Sequence, residues 1–141
     1  MTWFFRNLFL ICFLSFSCVL NVSAQEGIDE DVKEVRIYLD ADRTGGGIIA
    51  GLSIERGIRT ALSEVNNMLG DYKVSLISKD HRGSTPRSER HLKEFLQDDK
   101  ALLVFTGLHS PPVLALRDFI NQNKILMLDP WAAGGPITRY P

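Results

Sequence analysis

Leu102-Leu103-Val104-Phe105 and Ile125-Leu126-Met127-Leu128 are two short apolar runs separated by a helix-length segment, and the stretch Leu102 to Trp131 that holds them decides the fold. The first run leads into Thr106-Gly107-Leu108-His109-Ser110-Pro111-Pro112, the second into Asp129-Pro130-Trp131-Ala132-Ala133-Gly134-Gly135-Pro136. That order predicts a βαβ unit. In open α/β sheets ligands sit outside the carboxyl ends of the strands, so these two loops are where a site is sought.

Upstream, Val35 to Leu39 is rich in β-branched and aromatic residues and closes at Asp40, which predicts a first strand. Asp40 to Gly47 has the composition of a loop. From Ile48 to about Leu69 apolar residues recur at helical spacing, with Leu52, Ile58, Ala61, Leu62, Val65 and Met68 on one stripe, and Gly70 is expected to stop that helix. Tyr72 to Ser78 predicts a second strand ending in Asp80-His81-Arg82-Gly83. Ser84-Thr85-Pro86 then caps a helix from Arg87 to about Gln97, its buried face Leu92, Phe95 and Leu96. With a third helix from Val113 to about Asn121, the order β-α-β-α-β-α-β and its short connections predict a three-layer α/β fold: a parallel sheet with helices on both faces.

The chain has 141 residues and a net charge of -1, which suits one globular domain and gives no bias toward nucleic acid. Residues 1–24 read as a signal peptide. Arg6 precedes an apolar run from Leu8 to Leu20, and Val22-Ser23-Ala24 is a small-residue cleavage site. The run falls short of the ~20 apolar residues of a membrane span. Cleavage after Ala24 predicts export to a periplasm, a disordered lead-in over 25–34 and a folded part over 35–141. Cys12 and Cys18 both lie in the leader, so the exported chain would hold no disulfide, thiolate metal site or cysteine nucleophile. The halt at Ile137-Thr138-Arg139-Tyr140-Pro141, just after the fourth strand's loop, reads as a truncated product or a fragment.

Several residues at the strand ends could carry chemistry. Gly45-x-Gly47-x-x-Ala50 satisfies a relaxed dinucleotide fingerprint, and Asp80 ends the second strand where a ribose-binding acid would sit. Against this stand the long loop before the glycines, Asp40 and Asp42 facing any pyrophosphate, and the exported address; a flexible loop without ligand outweighs it. Ser110 is an N-cap by type, with Pro111 suited to the first helical position. It either caps only or also helps the helix N-terminus hold a carboxylate. Trp131 either walls a pocket or packs against another part of the protein. His81, His91 and His109 have no metal-ligand spacing; His91 reads as part of a solvated helix face, and His109 as a loop histidine, solvated or entering a pocket. Asp40, Asp42, Asp80 and Asp129 gather at one sheet edge, to bind a cation or ammonium group or simply to form turns. Neither a Ser-His-Asp order nor a Gly-x-Ser-x-Gly elbow occurs, and the reading is of a chain that is no enzyme, with no cofactor and no metal.

Taken together, the leader, the first strand with its Gly-rich loop, the Gly57-x-x-x-Ala61-x-x-x-Val65-Asn66 helix, Ser78-Lys79-Asp80, Leu103-Val104-Phe105-Thr106-Gly107 and Ile125-Leu126-Met127-Leu128-Asp129-Pro130-Trp131-Ala132-Ala133 resemble the start of a type I periplasmic binding protein. The resemblance is to the branched-chain amino acid (Leu/Ile/Val) binding proteins of ABC transporters, over the first part of their N-terminal lobe. It implies two α/β lobes closing on a small amino acid, which is then handed to a membrane permease. It further implies ligand contacts from Ser110 and from backbone and hydroxyl groups of the turn at Trp131, Ala132 and Ala133, with His109 beside them. This chain departs from the family pattern in Pro111-Pro112, where hydroxyl residues are usual, in Ala133, which lacks a hydroxyl, and in Trp131, where a small residue is usual.

The expected function is therefore that of an exported substrate-binding protein of an ABC importer, or a fragment of one, holding an amino-acid-like solute. A ligand-sensing receptor module of the same fold and a non-functional truncated remnant remain the alternatives.

Overall fold

The computed structural model describes residues 33–139; the expected signal peptide and residues 25–32 of the expected lead-in lie outside the described residues. The elements in chain order are β1 (Lys33–Ala41), α1 (Ile48–Glu64), β2 (Met68–Leu69), β3 (Tyr72–Asp80), α2 (Thr85–Gln97), β4 (Ala101–Thr106), α3 (Ser110–Ala115), α4 (Arg117–Gln122), β5 (Met127–Leu128) and a 3-10 turn at Gly135–Ile137. They form one sheet in the order β2-β3-β1-β4-β5. β1 is central and runs parallel to both β3 and β4, and β5 runs parallel to β4.

A strand buried on both faces needs apolar residues in succession rather than in alternation, and Ile37-Tyr38-Leu39 supplies them. Successive side chains point to opposite faces. Ile37 accordingly joins Leu62 and Val74 on the α1 side, while Tyr38 joins Leu92, Phe95, Val104, Leu116, Ile120 and Ile125 on the side of α2 and α4. Helices thus cover both faces of the sheet, as the element order predicts. Tyr38 meets Phe95 edge-on at 5.3 Å, and its hydroxyl donates to Asp98 at 2.8 Å. Burial above all, with the Asp98 carboxylate behind it, pushes the phenol up to about 12.

The first correction concerns the end of the long helix. It stops at Glu64, because Asn66 and Asn67 take left-handed φ of 54° and 57°, which asparagine tolerates better than most side chains. Met68 and Leu69, expected on the helix, form instead a short strand antiparallel to β3, pairing with Lys73 and Tyr72. Gly70, at φ 59°, makes the hairpin turn between them rather than ending the helix. The sheet is therefore parallel except at this edge.

The helix expected from Val113 to Asn121 is two short ones, joined at the buried Leu116. His109, not Ser110, is its N-cap, and Ser110 begins the first turn. On α2 the buried face is Ser88, His91, Leu92 and Phe95, the i, i+3, i+4, i+7 stripe of an amphipathic helix; Leu96 is exposed. His91, expected on a solvated face, is buried.

Candidate functional site

The parallel strands end level with one another: Ala41 pairs with Asp80, Asp40 with Thr106, and Phe105 with Leu128. Their following loops converge on one edge. Three aspartates brace these loops from within.

Asp42, almost wholly buried, accepts the N–H of Gly45 at 2.6 Å and of Gly47 at 2.7 Å. Its burial favours the neutral acid, but the amides of Gly47, Gly45 and Thr44 hold the carboxyl below its ordinary value. The glycines are required by close approach: a Cβ on Gly45 would meet the Asp42 carboxylate at 2.7 Å, and one on Gly47 would meet the His109 ring at 2.6 Å. A phosphate loop works by offering its amides outward. Here Asp42 takes two of them inward, which overturns the dinucleotide fingerprint.

Asp80 serves the same loop from β3. It accepts the Arg43 N–H at 2.9 Å, the Thr44 hydroxyl at 2.5 Å and Arg82 Nε–H at 3.1 Å. These bonds outweigh the effect of burial and keep its carboxyl well below the usual range. In the last loop Asp129 accepts from the amides of Trp131 at 3.2 Å and Ala132 at 2.7 Å, and from the Thr106 hydroxyl at 3.1 Å. These three carboxylates form turns, the plainer of the two sequence readings.

The residues expected to bind ligand come together. The Ser110 hydroxyl accepts the Gly134 N–H at 3.0 Å, which places the start of α3 against the turn of Trp131, Ala132 and Ala133. Trp131 is half exposed, Ala132 half-buried and Ala133 exposed. His109 lies between the first and last loops, Nε2 4.0 Å from Asp42 and its ring edge-on to His81 at 5.6 Å. The amides of Trp131 and Ala132 face Asp129 and so are not offered to a solute. Ile48, Ile49 and Leu108 are also exposed in the segments that follow β1 and β4, so the edge carries an apolar rim. Larger hollows of about 330 Å³ beside α4 and β5 and about 500 Å³ on α1 are lined by none of the five residues.

Beneath the edge lies a polar cluster the sequence reading missed. Asp40 accepts a hydrogen bond from Ser88, and His91 Nδ1 stands 2.7 Å from its other oxygen. With His81, Thr106 and His109, Asp40 and Ser88 line a cavity of about 10 Å³, room for about one water molecule. A signal existed: Ser88 and His91 share the helical stripe of Leu92 and Phe95, and Asp40 interrupts an otherwise apolar strand.

Residues 34–141 match the profile of a family described as periplasmic binding protein. Among curated proteins no sequence matches. Solved structures do. An ABC transporter substrate-binding protein from Sphaerobacter thermophilus is 22% identical with a TM-score of 0.71, over 76% of this chain and 29% of its own. A solute-binding protein of an ABC transporter from Rhodopseudomonas palustris BisB5, in complex with 3,4-dihydroxy benzoic acid, is 22% identical at TM-score 0.68, over 74% of this chain and 29% of its own. The branched-chain amino acid transporter substrate-binding protein LivJ from Streptococcus pneumoniae, in complex with isoleucine, is 17% identical at TM-score 0.67, over 75% and 31%. The chain thus spans less than a third of the length of these relatives.

Proposed function

The chain belongs to the periplasmic binding protein family, and from that premise we propose that it is part of an exported solute-binding protein serving an ABC importer, holding a small amino-acid-like carboxylate at the strand-tip edge. Residues 1–24 are its export signal and 35–141 part of its N-terminal lobe, the location periplasmic and the partner a membrane permease. Ser110, the one residue of the Ser110-Pro111-Pro112 opening of α3 with a backbone N–H, meets the carboxylate; Trp131, Ala132, Ala133 and His109 wall the rest of the solute. The Ser110–Gly134 hydrogen bond carries this reading, since it brings two separate loops onto one rim. The two liganded relatives support the chemistry: 3,4-dihydroxy benzoic acid and isoleucine share a carboxylate and differ in the apolar group beside it.

The chain has two tryptophans, Trp3 in the leader and Trp131 at the rim, so cleavage leaves one reporter. Titration with isoleucine and with 3,4-dihydroxybenzoate, followed by Trp131 emission, is expected to saturate, with dissociation constants of about a millimolar because one lobe alone buries only part of a ligand. Ser110→Ala should weaken that binding. An emission unchanged by either compound, or a response indifferent to Ser110→Ala, overturns the assignment.

A further inference from the structure

All three histidines of the chain converge on one place behind the strand-tip edge. His81 is the most enclosed, 2% exposed. It opens a tight turn in which Arg82 and Gly83 take left-handed φ of 51° and 71°. Two bonds return from that turn to His81: Ser84 N–H to its carbonyl at 2.8 Å, and Gly83 N–H to its Nδ1 at 2.8 Å. A ring nitrogen that accepts an amide proton carries none itself, so the proton of neutral His81 is on Nε2. The other side of the turn touches His109. A Cβ on Gly83 would lie 3.6 Å from His109 Nε2, and the two imidazoles meet edge-on.

We propose that His81 is a proton-operated latch: a second proton on Nδ1 abolishes the acceptor of the Gly83 N–H, opens the 81–84 turn, and unseats His109 and with it the Ser110 end of the rim. Imidazolium has two donors and no acceptor, so the Gly83 bond cannot survive protonation. The surroundings set the range in which this happens. Burial, the largest influence, disfavours the charged ring; Asp40 from β1 favours it, His109 before α3 opposes it, Asp42 favours it and His91 from α2 opposes it. Its chain neighbours Asp80 and Arg82 are engaged with each other at 3.1 Å. The cavity wall from Thr106 of β4 through α3 and α4 to Met127 of β5 is uncharged. The balance lies below the ordinary 6.5, so the latch is shut at neutral pH and opens only below that value.

The test is a long-range proton–nitrogen NMR titration of the ligand-free full chain from pH 8 to pH 5. His81 is expected as the Nε2–H tautomer at pH 8, titrating below 6.5, with the amides of Gly83, His109 and Ser110 shifting at the same midpoint. Exchange of the Gly83 amide, corrected for its intrinsic pH dependence, should quicken by about tenfold or more across that midpoint, the mark of local opening. In His81→Asn the side-chain carbonyl keeps an acceptor near Nδ1 and cannot titrate, so both responses should vanish. A midpoint at or above 6.5, silence of those amides through the His81 titration, or an unchanged response in His81→Asn overturns the proposal. If the variant does not fold, the titration of the unaltered chain decides alone.

Discussion

The Ser110 hydroxyl accepts the Gly134 N–H at 3.0 Å, which ties the first turn of α3 to the loop after β5 across 24 residues of chain. Ser110→Ala removes an acceptor from a part-buried amide and should cost about 1 kcal/mol of stability, read as a lower urea midpoint at unchanged slope. Gly134→Ala attacks the same contact by overpacking, because its Cβ would sit 3.0 Å from Ser110 Cβ and 3.1 Å from Oγ. Since Ser110→Ala removes one of the crowded atoms, the double variant should lose less than the two single losses combined.

Asp40 joins two donors of α2 to the central strand, all three side chains buried. Asp40→Ala leaves the Ser88 hydroxyl and the His91 ring nitrogen without their partner in the interior and should cost about 1–3 kcal/mol for each group stranded. Asp40→Asn keeps a carbonyl acceptor and should lose distinctly less. Denaturant unfolding separates the two; equal losses would mean that a neutral carbonyl cannot stand in for the carboxylate at this site.

Stability should fall in acid in two stages. Folded His81 resists protonation while the unfolded chain accepts the proton near 6.5, so its contribution is complete above 6.5 and is lost as pH drops toward the depressed folded value. The carboxylates follow. Glu34, lowered to about 2 by its bonds with Lys100, Ser75 and Arg36, and Asp80, lowered further, favour the folded state above the ordinary 4.5 and 3.8 and lose that advantage below those values. Urea midpoints across pH should show both limbs, and His81→Asn should flatten the upper one alone.

Two glycines of α1 should respond in opposite directions. A Cβ on Gly51 would fall 2.1 Å from the Asp42 carbonyl oxygen, a backbone atom that cannot step aside, so Gly51→Ala should cost about 1–3 kcal/mol or more. At Gly57 a Cβ meets open space, and Gly57→Ala should add about 0.5–1 kcal/mol by restricting the unfolded helix segment. Thermal melts of the two variants settle the matter.

Much of the architecture was legible in the sequence because the signals are local. Apolar runs of four or five residues ending in Asp or Gly marked the parallel strands, and the 3.6 period marked α1 and α2. What misled was also local. Asn66-Asn67 end α1 by left-handed backbone that the apolar stripe through Met68 conceals, and Leu96, as apolar as Leu92, lies off the Ser88, His91, Leu92 and Phe95 stripe that the helix buries.

The chain's composition and period by themselves determined the layers, the strand-tip loops and the place where Ser110 and the Trp131 turn would lie, since each follows from residues within a few positions of one another. The tertiary structure alone decided which polar groups meet. Asp40 finds Ser88 and His91 at separations of 48 and 51 residues, and Arg43 and Thr44 find Asp80 across 37 and 36. Such pairings depend on strand order and register, which no neighbouring residue encodes. For that reason three histidines with no common spacing share one site, and glycines spaced as for a phosphate turn inward to an aspartate.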